Sequence, residues 1–472
     1  MNNIYRTFTL LAIVLTLASC DDWFDVRPKS QVKEGDLFLT ESGFRDATLG
    51  IYTLMGNKDA YGGNMTMGFV DVLAQQYTNV NSSYNAAMSY SYMDINSKDM
   101  IDAMWKKCYE AIANCNRLLK NVDGENRKNL SEQTYSIVKG EALALRAYLH
   151  FDMLRLYAPS YISGKDKKSV PYVAISTVNP QSSPTVAELC DLLVADLENA
   201  RQLLKPYDPI CNDDYDEKFE YKNEDYLQND GFLLYRTSRM NYYAATALLA
   251  RVCLFKQDKA NALKYAKEVI DCGRFQLIND NLLAQDTKEN RRYTFMMSVA
   301  KHEYISGLYV YNLKENVSDA YFRDSQSASL RISNTRKSQV FGAEGLDFDV
   351  RSKRMFSVPS GSSNEYVSKY FTGTQIPLLK IGEMYLIAAE ASGDSSYLLA
   401  LKQQRGYVNA SSDNSKFLQE LQAEYQKEFI AEGQLFYFYK RMNMGKIPYA
   451  AIVASDEVYV LPMPDDELEF GN

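Results

Sequence analysis

Residues Ser131 to Pro159, SEQTYSIVKGEALALRAYLHFDMLRLYAP, hold the clearest helical signal in the chain. Val138, Ala142, Leu145, Leu149, Met153 and Leu156 recur at steps of three and four, and Ala144, Tyr148 and Phe151 form a second apolar stripe beside them. A helix apolar on two sides must be covered on two sides. Ser131 caps its first turn, with Glu132 behind it, and Pro159 ends it. Ala142, Ala144 and Ala147 let neighbouring helices approach closely.

The chain supplies those neighbours. Lys98 to Asn121 places Trp105, Tyr109, Ile112, Asn116 and Leu119 on one helical face, and Ser183-Pro184-Thr185 opens a helix over Val186 to Leu204. Met240 to Phe255 and Lys259 to Cys272 form an antiparallel pair joined by three residues and closed by Gly273, the unit repeated in tetratricopeptide arrays. Ala142-Leu143-Ala144-Leu145-Arg146 is echoed by Ala247-Leu248-Leu249-Ala250-Arg251. A third relative, Leu378 to Ala391, opens with Pro377 and stops at Gly393. The echoes are unevenly spaced, so the predicted architecture is mainly α: a tetratricopeptide-like array of helix pairs with a smaller, irregular, loop-rich lobe. Helical repeats are expected at about 40–56, 98–158, 184–205, 238–273 and 376–435, with loop-rich insertions at about 57–97 and 274–375. Short β-prone runs are predicted at Tyr304 to Tyr311 and Gln339 to Phe341. The last helix, Lys416 to Glu432, leads to Phe436–Arg441 and a closing strand over Val458 to Pro462.

Composition narrows the function. The 472 residues carry a net charge of −8, which disfavours nucleic acid as a partner because phosphate neutralisation needs a basic surface. Tyrosine is abundant, 36 against 21 Phe and two Trp, which suits either amphipathic core edges or a polar-ligand surface.

Residues 1–20, MNNIYRTFTLLAIVLTLASC, contain an apolar run too short to span a bilayer comfortably, and read as a cleaved signal. Leu17-Ala18-Ser19-Cys20 resembles a bacterial lipobox, which implies a signal peptide over 1–19, acylation at Cys20 and a lipid-anchored tether over 20–39 ahead of the 40–472 body. Asp21-Asp22 resembles the signal that directs lipoproteins to the cell surface in Bacteroidota. Six further cysteines occur. Cys108 and Cys115, seven apart on a helix, are separated by about 10 Å along its axis, beyond the ~7 Å Cα limit of a disulfide. Buried reduced thiols are expected.

Catalytic signatures are scarce. Of two histidines, His150 lies in the central helix, and His302-Glu303 begins a zincin pattern that Ser306 breaks. No G-x-S-x-G, G-x-G-x-x-G or P-loop occurs, and Asn212 to Glu217 lacks EF-hand spacing. No catalytic residue, metal or cofactor is assigned. Paired carboxylates keep a surface hydrolase as an alternative.

Taken in order, several motifs identify a resemblance: the lipobox with Cys20-Asp21-Asp22; W-x-x-x-Y-x-x-I-x-x-x-N-x-x-L from Trp105 to Leu119; GEALALRAYLHFDMLRLYA; Ala195 to Ala200; AATALLARVCLF; Ile376 to Ala391; Glu428 to Arg441; and Leu461 to Pro464. Together they resemble the SusD/RagB family of outer-membrane lipoproteins, whose members partner a SusC-type TonB-dependent transporter. The resemblance implies a non-enzymatic, lipid-anchored surface protein that binds a nutrient, most simply a glycan, and delivers it to that transporter. A structural lid without ligand affinity is the further alternative. The family's L-N-x-V-R-x-R segment is degraded to Leu401-Lys402-Gln403-Gln404-Arg405, and the tryptophans that starch-binding members present have no counterpart, Trp23 lying in the tether and Trp105 in a core helix. The stretch from Tyr77 to Tyr92 occupies the position of the family's pocket loops, and Tyr77, Asn79, Asn81, Tyr84, Tyr90 and Tyr92 are the candidate ligand residues, peptide or glycopeptide remaining an alternative ligand.

Overall fold

The computed structural model describes residues 34–470 apart from 178, 214, 216–230, 292–293, 323–329, 359–364 and 412. The expected signal peptide, Cys20 and most of the expected tether lie outside these residues, as does part of the acidic 212–217 run.

Most of the central helix, Glu132–Tyr157, is buried, and Ser131 accepts the Thr134 amide at its start. Two apolar stripes require two neighbours, and Ile95–Val122 packs on one side and Val186–Leu204 on the other. The stack continues through Tyr242–Phe255, Lys259–Asp271 and Ile381–Ser392, each helix touching the next, so the array of helix pairs runs through most of the body. Glu41–Met55 packs across Ile95–Val122 near the other end. Gly140 marks one close approach: a Cβ there would meet the Leu204 side chain at 2.7 Å.

The echoed motifs are explained by paired charges. Arg146 makes a fork to Asp196 at 2.7 and 2.9 Å, and also donates to Asn116 Oδ1 and the Ala174 carbonyl. Arg251, its echo, makes the same fork to Glu383, both contacts 2.6 Å. Each arginine thus ties its helix to an acid on a partner helix. Unpaired, such a buried charge would be strongly destabilising; paired, it fixes how the helices meet.

His150 is held in the same cluster. Its Nδ1 lies 3.0 Å from the Arg146 carbonyl, and its Nε2 accepts the Val173 amide at 3.0 Å, which assigns the Nδ1–H tautomer. Burial pulls its pKa down to about 3, so the ring is a neutral structural bridge.

Several sequence expectations change. The 57–97 stretch, expected as a loop-rich insertion, is mostly turns with the short helices Phe69–Leu73 and Asn85–Met88, but it is packed into the core rather than displayed, its buried aromatics spaced without a period. Gln339 to Phe341 lies within the helix Asn334–Phe348, kinked at Gly342 (φ +70°), rather than in a strand. Pro377 does not open a helix; it sits in strand Gln375–Lys380, which pairs antiparallel with Tyr304–Tyr309, and the helix starts at Ile381. The predicted end at Gly393 holds, with φ +71°. Val458 to Leu461 forms no strand: Asp456–Tyr459 is a short helix, and the following backbone ties to the central helix through Leu461 N–H to Leu156 C=O, 3.0 Å.

Below this array lies a buried charge cluster. Arg351, Lys369, Lys380, Arg405 and Lys427 interdigitate with Glu303, Asp349, Glu424, Glu428 and Glu432. Five cations face five anions. Glu303, from the incomplete zincin pattern, is therefore a structural partner of Arg405, with one contact at 2.9 Å. Arg405, at the end of the Leu401 to Arg405 run, links Glu303 to Glu428.

The six remaining cysteines are free thiols, four of them buried. Among the described residues no helix is long and apolar enough to cross a membrane, and no group of His, Cys, Asp and Glu could hold a metal ion.

Candidate functional site: a tyrosine-lined cleft

The 77–92 segment is built largely into the core. Tyr77 is fully buried and donates to the Met67 carbonyl at 3.1 Å; Tyr84 donates to Asn64 Oδ1 at 3.0 Å; Tyr92 donates to the Val458 carbonyl. Tyr90 is half-buried, its hydroxyl on the Leu73 carbonyl at 2.9 Å. Three of the four rings thus cover the helical body and offer no face to a ligand. Asn79 is exposed and bridges to Arg331 through its backbone, while the Asn81 side chain caps the next turn by accepting the Ser83 amide. These two polar residues lie at the surface without an accompanying exposed ring from their own segment other than the edge of Tyr90.

Exposed rings converge elsewhere. A cleft of about 650 Å³ opens between the Glu41–Met55 helix, the 231–239 loop and the end of the Tyr304–Tyr309 strand. That volume suits a ligand of a few sugar rings. Tyr235, Tyr309 and Tyr311 line it and are 46, 55 and 71% exposed. Between them stand Ser42, Asp46, Asn57, Ser238 and Asn316, with apolar Leu49 and Phe232 completing the wall.

Each ring is positioned by local structure. In the 309–311 run the side chains alternate, so Tyr309 and Tyr311 face outward while Val310 is buried. Gln375, opposite Tyr309 in the ladder, donates to Ser238 Oγ at 2.6 Å and joins the strand pair to the loop. Asn316 donates to the Tyr311 carbonyl at 2.6 Å, and Asn312 turns the chain with φ +46°. Tyr235 itself has φ +54°, a left-handed conformation costly for an aromatic residue.

What holds Tyr235 there is the central helix. Glu141, the second residue of GEALALRA, is fully buried and accepts from Arg236 at 2.6 Å, Arg239 at 3.0 Å and the Tyr52 hydroxyl at 2.9 Å. Asp208 grips the other edge of Arg236 at 2.8 and 2.9 Å. Burial opposes the charge on Arg236, but the two flanking carboxylates outweigh it and raise its pKa well above the ordinary arginine value. Arg239 then lies over the Phe232 ring, 3.9 Å from its centroid, and donates to the Phe232 carbonyl at 2.7 Å. The loop is therefore anchored on both sides of Tyr235.

The cleft has the elements of saccharide recognition: flat apolar faces for the C–H side of a ring, and amide, hydroxyl and carboxylate groups for its hydroxyls. Among the described residues that line it there is no histidine or cysteine. Sequence reasoning missed it, although the alternation around Val310 was a usable signal for two of its three tyrosines.

Comparison with known proteins accords with this fold. Residues 22–209 match the family model described as SusD-like, "Starch-binding associating with outer membrane". The SusD-like protein P25 of Formosa agariphila is 25% identical over 158 residues, which is 32% of this chain and 30% of that protein, so the match spans less than a third of the relative's length. A SusD superfamily protein from Bacteroides thetaiotaomicron superposes with a TM-score of 0.69 at 20% identity, covering 91% of this chain and 98% of that one. A putative sugar binding protein from Bacteroides vulgatus gives 0.66 at 23% identity, with coverage of 92 and 97%. Surface glycan-binding protein A from Bacteroides thetaiotaomicron, solved with laminarihexaose, gives 0.64 at 15% identity, with 91 and 97% covered. The resemblance to SusD-like proteins drawn from the sequence motifs holds, and the described body shares the fold of these solved structures.

Proposed function

With the SusD-like fold as premise, we propose that this chain is a non-catalytic glycan-binding protein of the bacterial outer membrane. The cleft of Tyr235, Tyr309 and Tyr311 holds the saccharide, and a TonB-dependent transporter of the SusC type receives it. The observation that carries this reading is the convergence of three exposed tyrosines on one cavity with polar side chains between them. Family description and the laminarihexaose-bound neighbour support a glycan as the ligand class. Anchoring through a lipid on Cys20 supports the location, resting on the lipobox-like Leu17 to Cys20. Asn79 and Asn81, at the surface, form a second place where hydroxyl groups could be met.

Affinity electrophoresis of the full chain against laminarin, starch, xylan and pectin supplies the test. Tyr309→Ala with Tyr311→Ala should weaken the best ligand about tenfold, since an aromatic contact contributes ~0.5–1.5 kcal/mol beyond area, while the melting temperature stays put because both rings are exposed. Unchanged affinity in the double variant would place the site elsewhere. Hydrolysis of any polymer by the purified chain, abolished with no loss of binding by a carboxylate variant, would replace the binding reading by the hydrolase alternative. For the anchor, Cys20→Ala should release the protein from membranes in its native cell.

A further inference from the structure

A second cavity, about 870 Å³, lies beside the Asp280–Glu289 and Phe295–Glu303 helices and the Val350–Arg354 turn. Its rim carries Lys288, Arg291, Lys353 and Arg354, all exposed. Asp280 is the one carboxylate among the lining residues, 3.8 Å from Lys353 and 4.0 Å from Arg354, beyond hydrogen-bond length. In a chain of net charge −8, four cations around one cavity stand against the average surface. Thr287, Thr294, Ser357 and Ser368 add hydroxyls, and Phe295 and Phe356 an apolar floor.

One backbone segment runs from this cavity to the tyrosine cleft. Ser368 lines the cationic cavity, and Gln375 pairs with Tyr309 and bonds Ser238 in the other. The backbone between them spans seven residues, about 25 Å at full stretch, and carries two features along its exposed edge. Phe371 is 55% exposed with Lys314 Nζ 5.4 Å from its ring centroid, and Thr372 meets Thr294 hydroxyl to hydroxyl at 2.7 Å. An exposed aromatic ring and Lys314, itself paired with Asp319 at 2.7 Å, therefore lie at the segment that connects the two linings.

We propose that the Lys288–Arg291–Lys353–Arg354 cavity is an anion subsite for sulfate or carboxylate groups on an extended glycan whose neutral faces stack in the tyrosine cleft. Guanidinium and ammonium groups match sulfate and carboxylate oxygens in charge and geometry. Exposed cations act over about 8–10 Å at moderate ionic strength, so the subsite selects among glycans while the tyrosines supply ring contact. This substrate class rests on the glycan-binding reading above.

Chemically matched pairs provide the test: dextran sulfate with dextran, and κ-carrageenan with agarose oligosaccharides, titrated against the full chain in 150 mM salt. The parent should favour the sulfated member of each pair. Lys353→Glu with Arg354→Glu should lose about tenfold toward the sulfated member, with melting temperature and any affinity for the neutral member unchanged. Equal affinity of the parent for both members, or a double variant that binds the sulfated polymer like the parent, overturns the subsite. Inorganic sulfate competing as well as the polymer at equal sulfate concentration would show an ion site only and also overturn it. Loss of neutral binding in Tyr309→Ala with Tyr311→Ala, with the sulfated preference absent in the parent, would leave the glycan reading standing and sink this one alone.

Discussion

Replacing Arg405 by Gln probes the buried cluster where its balance is most exposed to a single change. Arg405 is almost wholly inaccessible and bonds Glu303 at 2.9 Å and Glu428 at 3.0 and 3.2 Å. Glutamine keeps a polar head but removes one of five cations set against five anions. Removing one partner of a buried pair costs about 3–5 kcal/mol, because the remaining charge stays desolvated. Unfolding entropy near 2.1 cal/mol/K per residue gives roughly 1 kcal/mol/K for a chain of 472 residues. The expected fall in melting temperature is therefore about 3–5 °C if the body unfolds as one unit. Scanning calorimetry measures it, with Lys353→Gln on the exposed rim as the control that should not move. Charge balance makes a sharper demand: Glu303→Gln added to Arg405→Gln should recover at least half of the loss. A drop of less than about 1 °C in the single variant, or a double variant that falls by the sum of both, would refute the balanced-cluster account.

Three further outcomes are expected. Burial raises the pKa of Glu424, but Arg351 and Lys427 overcome it and hold the carboxyl at about 2, and Glu428 is likewise lowered well below 4.5 by its cations. Folded values below the unfolded one give stability that is complete above pH 4.5 and lost as pH falls toward 2, so urea midpoints should drop steeply across that window and less steeply in Glu424→Gln. Lys440 donates to the Arg155 carbonyl at 2.6 Å and the Tyr459 carbonyl at 2.7 Å, and burial pulls its pKa down to about 7 from 10.5. Between those values this lysine binds more protons in the unfolded chain, so the stability of the parent relative to Lys440→Met should grow as pH rises from 7 to 10.5, read by denaturant titration of both at each pH. Gly433 has φ +71°, and an added Cβ would lie 2.7 Å from the Met65 carbonyl oxygen; Gly433→Ala should cost about 1–3 kcal/mol by chemical denaturation.

The helical array was legible because burial on a helix writes a period into the sequence. Val138 to Leu156 and Trp105 to Leu119 show it, and helix ends were readable from Ser131 at the start of the central helix and from Gly393 after Ile381–Ser392. Where burial is achieved by turns, no period is written. Tyr77, Tyr84 and Tyr92 each point inward from a different local geometry, so their spacing looked like a display of rings when it was a set of plugs. Pro377 misled because a proline suits the start of a helix and an edge of a short strand equally well. Tyr309 and Tyr311 could have been assigned to one face from alternation alone. Tyr235 could not, since its pose depends on Glu141 gripping Arg236 across 95 positions of sequence. The cationic cavity was hidden in the same way: Lys288 and Arg291 meet Lys353 and Arg354 only after the chain has turned back on itself.

The N-terminal third of the body is fastened by the last tenth of the chain. Asp71 accepts the Ala431 and Gly433 amides at 3.1 and 3.0 Å, Gln76 donates to the Gln426 carbonyl at 2.9 Å, Tyr92 reaches Val458, and Lys440 closes the end of the central helix. These contacts join residues 350 or more positions apart in the first three cases. A ribosome or translocon feeding the chain out from its N-terminus therefore releases a tyrosine-rich segment long before its partners exist. Contacts this distant are slow to form and leave apolar surface open until the final fifty residues emerge. Trimming those residues would not shorten the protein from one end; it would open the other.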